Sequence, residues 1–168
     1  MTACRAARLW SCALVLSIST PHLAAAARGK TENDLQCLAR AIYFEARGES
    51  GKGQLAVGRV ILNRVASEAY PDTICDVVYQ GSHKRDACQF SFACDGEPDV
   101  AKETKAWNQA MGHARELIAC DPPCQEEPEW QGPLWTSTHY HADYVNPRWA
   151  KKLTHTGTVG RHIFYAIA

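Results

Sequence analysis

Apolar residues recur at helical spacing on both sides of a glycine-rich stretch near residue 50, which predicts two helices joined by a turn. The residues that fall on one face of the first helix are Leu35, Leu38, Ala39, Ile42 and Ala46. We expect Asn33 or Asp34 to cap its start. The residues that point inward from the second helix are Leu55, Ala56, Val60, Ile61 and Val65.

Two further helices are predicted beyond residue 65. Residues 70–73 are typical of a turn and cap, and a short helix is expected over residues 74–79. Residues 99–119 carry the longest helical pattern, with Val100, Trp107 and Met111 on its apolar stripe.

The remaining signals predict a small β portion. Residues 88–96 alternate weakly between two cysteines, which favours a tight cross-linked loop or a short hairpin. Strand patterns follow at residues 136–141 and 158–165, with a turn at residues 146–149 between them. The predicted fold class is therefore α+β, a mainly helical domain with a small β portion.

Glu45 lies in the last turn of the first predicted helix, beside Tyr43 and Phe44. The partial negative charge at a helix end and burial against aromatic rings both disfavour a carboxylate, so we expect a raised pKa. Such a group can hold a proton near neutral pH and donate it. The simpler alternative is an ordinary surface charge beside a turn. Glu49 is expected to be more solvated and to orient Arg47 or Arg64.

The first 27 residues have the character of a secretory signal peptide, with basic Arg5 and Arg8, an apolar run over residues 9–19 and a small-residue end. The apolar run is too short to span a bilayer. We expect one mature domain over residues 28–168, exported to the periplasm or the extracellular space, with no integral membrane segment after signal removal.

The charge balance gives no sign of a nucleic-acid partner. The chain has 18 basic and 18 acidic residues, and the signal removes two arginines and no acid, which leaves 16 against 18. This lacks the basic footprint that nucleic acid requires.

Eight cysteines become six once Cys4 and Cys12 leave with the signal, and six in an exported chain suggest three disulfides. Local pairing of Cys88 with Cys94, and of Cys120 with Cys124, is plausible and leaves Cys37 for Cys75. About 15 pairings are formally allowed, so the connectivity stays open. Zinc is the weaker alternative, because no C-x-x-C pair occurs.

His139 and His141 are two residues apart and share a face if the segment is a strand. With His155 or His162 they offer ligands for a metal. The alternative is that they are hydrogen-bonding residues lining a groove, which we favour because no acidic partner stands at metal spacing. We therefore predict no metal and no cofactor.

Six blocks follow one another in order and resemble those of the bacterial cell wall hydrolases typified by the spore cortex-lytic enzymes. They are CLARAIYFEARGE, GQLAVGRVILNRV, YPDTICDVVYQ, CQFSFACDG, THYHA and VGRHIFY. The resemblance covers residues 37–165 and implies a compact lysozyme-like domain that cleaves peptidoglycan glycan strands. It places the catalytic glutamate of the family at Glu45. We see no amino-terminal peptidoglycan-binding repeat, so general wall remodelling is expected rather than a spore role.

The reaction that the resemblance implies is lytic transglycosylation. Glu45 protonates the oxygen between N-acetylmuramic acid and N-acetylglucosamine, and then acts as base on the 6-hydroxyl that closes a 1,6-anhydro ring. Hydrolysis needs a second carboxylate, for which the candidates are Glu49 first, then Asp95 or Asp143. The groove candidates are Gln89, Ser91, Tyr140 and Tyr165, which offer hydrogen bonds and stacking faces.

Two other classes of function remain open from the sequence. One is a non-catalytic glycan-binding module with Tyr140 and Tyr144 as platforms and Glu45 as a structural cap. The other is a zinc-dependent amidase or peptidase that uses His139 and His141. In each case peptidoglycan is the expected partner, and the protein is expected to be a monomer.

Overall fold

The computed structural model describes residues 21–84, 87–120 and 131–167, with side chains from Glu32 onward. Four α-helices and a small sheet form the described part, which confirms the predicted α+β class. The helices are α1 (Pro21–Ala46), α2 (Gly51–Val65), α3 (Ile74–Val78) and α4 (Thr104–Ala119). Nowhere in the described part is a helix both long and apolar enough to cross a bilayer.

Helix α1 runs further toward the amino terminus than the capping residues predicted. Asn33 and Asp34 lie inside the helix, so the expected cap there is wrong. The residues upstream include an alanine run at 24–27, and alanine has the highest helix propensity of all residues, which carries the helix through this point. Asp34 accepts a hydrogen bond from the Cys75 amide at 3.4 Å instead. Residues 1–20, most of the predicted signal, lie outside the described residues.

The core lies between α1, α2, α3 and α4, where the apolar faces predicted for α1 and α2 meet. Leu38 and Ile42 of α1 and Ile61 of α2 are fully buried in one cluster. Helix α2 begins at the Ser50 cap, whose hydroxyl accepts the Gly53 amide at 3.3 Å. Helix α3 begins in the same way at Thr73. Both helices therefore confirm their predictions.

Helix α4 begins at Thr104, five residues after the predicted start. The Tyr43 hydroxyl accepts the backbone amides of Lys102 and Glu103 at 3.1 and 3.2 Å, which holds the preceding chain outside the helix. Val100, which was assigned to the apolar stripe, is 62% exposed. Trp107 does pack against the core as expected.

The cysteine pairing is confirmed for two of the three predicted disulfides. Cys37 is bonded to Cys75 and links α1 to α3, and Cys88 is bonded to Cys94. The second bond closes a loop that ends in a 3-10 helix over Ser91–Cys94, so the cross-linked loop is right and the hairpin alternative is wrong. The predicted pairing of Cys120 with Cys124 is not tested, because Cys124 lies outside the described residues.

The described β portion is a three-stranded antiparallel sheet in the order β1-β3-β2. Its strands are β1 (His139–Ala142), β2 (Thr154–Val159) and β3 (His162–Ala166). Strand β1 starts three residues later than predicted because Pro133–Thr136 forms a 3-10 helix. The single strand predicted over residues 158–165 is a hairpin, since Gly160 adopts a left-handed φ of +56° and turns the chain. The predicted turn at residues 146–149 leads into a 3-10 helix over Arg148–Lys152.

The hairpin turn is packed closely against Glu49. The Glu49 carboxylate accepts the Arg161 amide at 3.3 Å, and a Cβ at Gly160 would collide with it. We therefore expect Gly160→Ala to lower the free energy of unfolding by more than the roughly 1–2 kcal/mol that a left-handed alanine costs alone. Urea denaturation measures the loss.

Gly96→Ala is the matched control for the hairpin turn. Gly96 also has a left-handed φ, +79°, but a Cβ there would meet no atom within 4 Å. The free energy of unfolding that Gly96→Ala loses should reflect backbone conformation only. It should therefore be smaller than the loss in Gly160→Ala. Equal losses in both variants would show that the Glu49 carboxylate moves aside without cost.

Candidate active site

Glu45 stands in the last turn of α1, and its half-buried carboxyl receives hydrogen bonds from two other segments. The Tyr140 hydroxyl, on β1, donates to Glu45 Oε2 at 3.1 Å. The backbone of Ser91, the first residue of the 3-10 helix, also hydrogen-bonds to the carboxylate. Three segments far apart in sequence thus converge on one carboxyl group.

The surroundings of Glu45 favour its protonated form. Burial raises the pKa of Glu45 above its usual value, while the hydrogen bonds from Tyr140 and Ser91 oppose this with smaller effects. Burial and the nearby Glu45 also raise the pKa of Tyr140 well above its usual value, so the Tyr140 hydroxyl remains a donor. Glu45 is therefore suited to give up a proton and to be stabilised afterwards as an anion.

The carboxyl group opens into a cleft of about 460 Å³. Residues from all the surrounding segments line it, among them Phe44 and Glu45 of α1, Arg64 of α2, Gln89 and Ser91 of the cross-linked loop and Tyr140 of β1. Among the described residues, Glu45 is the only acidic side chain in the lining. A cleft of this size accommodates a small organic ligand or a segment of a polymer.

Three of the four predicted groove residues share this cleft with Glu45. Gln89 and Ser91 are exposed on one wall, and Tyr140 contributes its hydroxyl. The Tyr140 ring packs against Phe164 and His162, with centroids 5.8 and 5.1 Å away, so little of it is free for stacking.

Tyr165 is placed apart from the other groove candidates. It neighbours Phe164 on β3, points to the opposite face of the sheet and is absent from the residues that line the cleft. Its ring stacks on His141 at 5.4 Å and meets Trp149 edge-on at 5.6 Å.

The candidates for a second acid also lie outside the residues that line the cleft. Glu49 holds the hairpin turn through the Arg161 amide, and Asp143 pairs with the Arg161 guanidinium at 3.3 Å. Asp95 is exposed and accepts the Glu97 amide.

The expectation that Glu49 orients Arg47 or Arg64 is wrong. Arg47 pairs with Glu103 at 3.1 Å, and the Arg64 Nε donates to the Thr138 carbonyl at 2.8 Å. Glu49 contacts the backbone of the hairpin turn instead, because the turn brings the Arg161 amide to its carboxylate.

His139 and His141 lie on the face of β1 opposite to Tyr140, where both rings contact Trp149, and His141 also lines the cleft, as expected for a groove residue. All four of their ring nitrogens have hydrogen-bond partners. Those of His139 are the Thr138 and Tyr70 hydroxyls, and those of His141 are the Ala142 carbonyl and the Tyr165 hydroxyl. Within the described ranges no group of three or more histidine, cysteine or acidic side chains is placed to hold a metal ion.

Sequence reasoning missed Arg64 and His162 as residues of the cleft. Arg64 follows Val60 and Ile61 at helical spacing, so a cation on the apolar face was a signal in the sequence. His162 was considered only as a metal ligand. Its ring lies against Tyr140, and burial lowers its pKa, which favours the neutral imidazole.

The described part of the chain is thus a mainly helical domain in which one acidic side chain, Glu45, lines a cleft. The family model described as Cell Wall Hydrolase matches residues 48–165, and the chain belongs to this family. The matched segment begins three residues after Glu45, so the expectation that Glu45 is the acid is not addressed by this match.

Curated relatives and solved structures agree with this family. The spore cortex-lytic enzyme of Oceanobacillus iheyensis is 29% identical over 137 residues, which are 82% of this chain and 43% of that protein. That of Halalkalibacterium halodurans is 28% identical, over 81% of this chain and 36% of that protein. The chain thus spans less than half the length of these two relatives.

The similar solved structures are catalytic domains. That of the Bacillus cereus SleB protein aligns with a TM-score of 0.56 and 28% identity, over 80% of this chain and 90% of that chain. That of the germination-specific lytic transglycosylase SleB from Bacillus anthracis aligns with a TM-score of 0.58 and 27% identity, over 79% and 93%. By these descriptions, the solved structures that this chain resembles are catalytic domains.

Proposed function

We propose that this protein cleaves peptidoglycan glycan strands between N-acetylmuramic acid and N-acetylglucosamine, as a lytic transglycosylase with Glu45 as the acid and the base. The observation that carries the proposal is the half-buried Glu45 carboxyl, held by Tyr140 and Ser91 in the cleft. Membership of the cell wall hydrolase family and the likeness to a catalytic domain named as a lytic transglycosylase support it.

The first step is protonation of the glycosidic oxygen by Glu45. The bond from that oxygen to the muramic anomeric carbon breaks, the N-acetylglucosamine leaves as an alcohol, and positive charge develops on the anomeric carbon. The raised pKa keeps a larger protonated fraction of Glu45 available for this step. The carboxylate that remains accepts hydrogen bonds from the Tyr140 hydroxyl and the Ser91 backbone, which stabilise it.

In the second step the same carboxylate takes a proton from the 6-hydroxyl of the muramic acid. The oxygen of that hydroxyl attacks the anomeric carbon and closes the 1,6-anhydro ring, and Glu45 regains its proton. No water is consumed and one carboxyl serves both steps. A two-carboxylate hydrolase would need a second acid about 5–10 Å from the first across the sugar. Glu45 is the only described acid that lines the cleft, which favours transglycosylation.

Mass spectrometry of the products released from purified sacculi tests the reaction type. Transglycosylation leaves anhydromuramic ends, which are one water lighter than the reducing ends that hydrolysis leaves. Reducing ends alone would contradict the proposal, and the search for a second carboxylate would then begin with Glu49. Absence of any soluble product would contradict glycan cleavage itself.

We expect cleavage to survive extensive chelation, because the acid–base route needs no metal and the ring nitrogens of His139 and His141 already have partners. The measurement is muropeptide release after prolonged dialysis against EDTA, with and without added zinc. Loss of activity that zinc restores would favour the amidase or peptidase alternative instead.

We also propose that the chain acts outside the cytoplasm, since its first 27 residues resemble a secretory signal. Amino-terminal sequencing of the exported protein should find a start between Ala25 and Arg28. A mature chain that begins at Met1, or at a lipidated Cys12, would contradict this.

A further inference from the structure

Arg64 is a buried cation that lines the cleft together with the proposed acid, and only 5% of its surface is exposed. Its guanidinium lies over the rings of Tyr70 and Phe90, at 5.3 and 5.5 Å from their centroids. Nε donates to the Thr138 carbonyl at 2.8 Å, while Nη1 has no hydrogen-bond partner among the described residues. Burying a charge is costly, and an apolar side chain of similar length would fill the same space at a lower cost. Packing alone therefore does not account for an arginine here.

The contacts of Arg64 fall on the two segments that supply the donors to Glu45. Thr138 stands two residues before Tyr140, at the entry to β1. Phe90 immediately precedes Ser91 and occupies the N-cap position of the 3-10 helix that begins at Ser91. Arg64 thus lies between the segment that carries the Tyr140 hydroxyl and the segment that carries the Ser91 amide.

We propose that Arg64 is a positioning residue that holds both hydrogen-bond donors of the Glu45 carboxylate in place and polarises the Tyr140 hydroxyl toward it. The inference rests on the proposed function. The guanidinium suits the task, because its Nε–H donates to the Thr138 carbonyl while its central carbon lies over the Phe90 ring. A lysine ammonium is a compact charge on a flexible stem and lacks the planar fork of donors.

The charge of Arg64, like its contacts, favours the hydrogen bond from the Tyr140 hydroxyl to Glu45. A guanidinium stays protonated in proteins, so it places a fixed positive charge beside the Tyr140 phenol. That charge works to lower the pKa of Tyr140, against the larger effect of burial. A more acidic hydroxyl is a better donor to the carboxylate that Glu45 becomes after it releases its proton. Other titratable groups that face this region are Tyr70 and His139 beside Arg64, and His162 beside Tyr140.

The test compares Arg64→Met and Arg64→Lys with wild type in kcat, KM and the pH profile of muropeptide release. In Arg64→Met we expect kcat to fall about 10²-fold, as for a displaced catalytic group, with KM unchanged. The ionised form of Glu45 loses support, so its pKa rises and the alkaline limb of the profile moves to higher pH. Arg64→Lys keeps the charge, so its limb should stay near that of wild type while kcat is still reduced.

Two controls separate positioning from a general effect. Lys52→Met removes an exposed cation from the first turn of α2 and should change neither kcat nor the limb. His139→Asn should leave the alkaline limb of the pH profile where it is in wild type. That result would show that a change in the titration of His139 does not cause the shift seen in Arg64→Met. Circular dichroism gives the folded fraction of each variant.

A merely structural Arg64 would give a different result. Activity in Arg64→Met would then fall only in proportion to the folded fraction, with the alkaline limb unmoved, and this would overturn the proposal. If Arg64→Met does not fold, Arg64→Lys decides: a kcat and a profile equal to those of wild type would likewise overturn it.

A measurement that needs no activity keeps this inference distinct from the proposed function. Carbon-13 labelling of the glutamates, with Glu45 assigned by its loss in Glu45→Gln, gives the titration midpoint of its carboxyl by NMR. We expect a higher midpoint in Arg64→Met than in wild type. An unchanged midpoint in Arg64→Met would contradict the positioning role of Arg64. A wild-type protein that releases no muropeptides would contradict the proposed function alone.

Discussion

Glu45→Gln is expected to abolish glycan cleavage while leaving the fold intact. Glutamine keeps the shape of the side chain, and its carbonyl oxygen can still accept the hydrogen bond from Tyr140, but it has no proton to donate to the leaving oxygen. General acid–base catalysis contributes roughly 10²–10⁴-fold, and here one group serves both steps. The loss should therefore lie at the upper end of that range or beyond. Release of soluble muropeptides measures it, and circular dichroism confirms folding.

Glu49→Gln is the matched control for Glu45→Gln. It makes the same chemical change four residues further along, at a side chain that contacts the hairpin turn rather than the cleft. Its effect on release should be small. A folded Glu45→Gln protein with near-wild-type release would remove Glu45 as the acid, and a larger loss in Glu49→Gln would transfer the role to Glu49.

The helical part of the fold could be predicted because its apolar pattern is strictly periodic. Leu38, Ile42 and Ile61 occupy one face of their helices and are fully buried together. The start of α4 could not be placed, because a tertiary contact decides it: the Tyr43 hydroxyl binds backbone amides about 60 residues away. Local propensity contains no information about such a contact.

The terminal hairpin was missed for a different reason. Residues 158–165 are rich in β-branched and aromatic residues, a composition that is typical of a strand. Gly160 is the signal that the chain reverses, since glycine adopts the left-handed conformation without strain. A glycine within a strand pattern also fits a bulge, so the residue alone does not distinguish the two.

The site residues also differ in whether local sequence or long-range contacts determine their surroundings. Glu45 was predicted because its environment is local: a helix end with aromatic neighbours in sequence. The role proposed for Arg64 depends on its contacts with the Thr138 carbonyl, 74 residues away, and with the Phe90 ring, in a loop between them. Tyr165 and Tyr140 are grouped in the sequence analysis because both are tyrosines. Tyr140 packs against Phe164, whereas Tyr165 is the next residue on β3 and therefore points to the opposite face of the sheet.

The Cys37–Cys75 disulfide is expected to contribute more to stability than any other described cross-link. It joins α1 to α3 across a sequence separation of 38 residues, whereas Cys88–Cys94 spans only 6. In the chain-entropy model, constraint of the unfolded chain grows with loop length, which gives about 4 kcal/mol for the first bond and about 2 kcal/mol for the second. Replacing Cys37 and Cys75 by alanine should therefore lower the free energy of unfolding about twice as much as replacing Cys88 and Cys94.

Urea denaturation of the two double variants measures these losses. Cys37 is buried in the helical core and Cys94 is exposed, so part of any extra loss in the first variant comes from packing. Reduction of the wild-type protein breaks all of its disulfides without removing side-chain atoms, so a loss on reduction smaller than the sum of the two variants' losses would reveal the packing contribution. The activity assay adds a second distinction, because the Cys88–Cys94 loop carries Gln89 and Ser91 of the cleft. Loss of the Cys88–Cys94 bond should reduce muropeptide release by more than the small loss of stability explains. The Cys37/Cys75 variant should retain release as long as it is folded.

The opposite ranking of the two stability losses would show that strain or residual structure in the unfolded chain outweighs loop length.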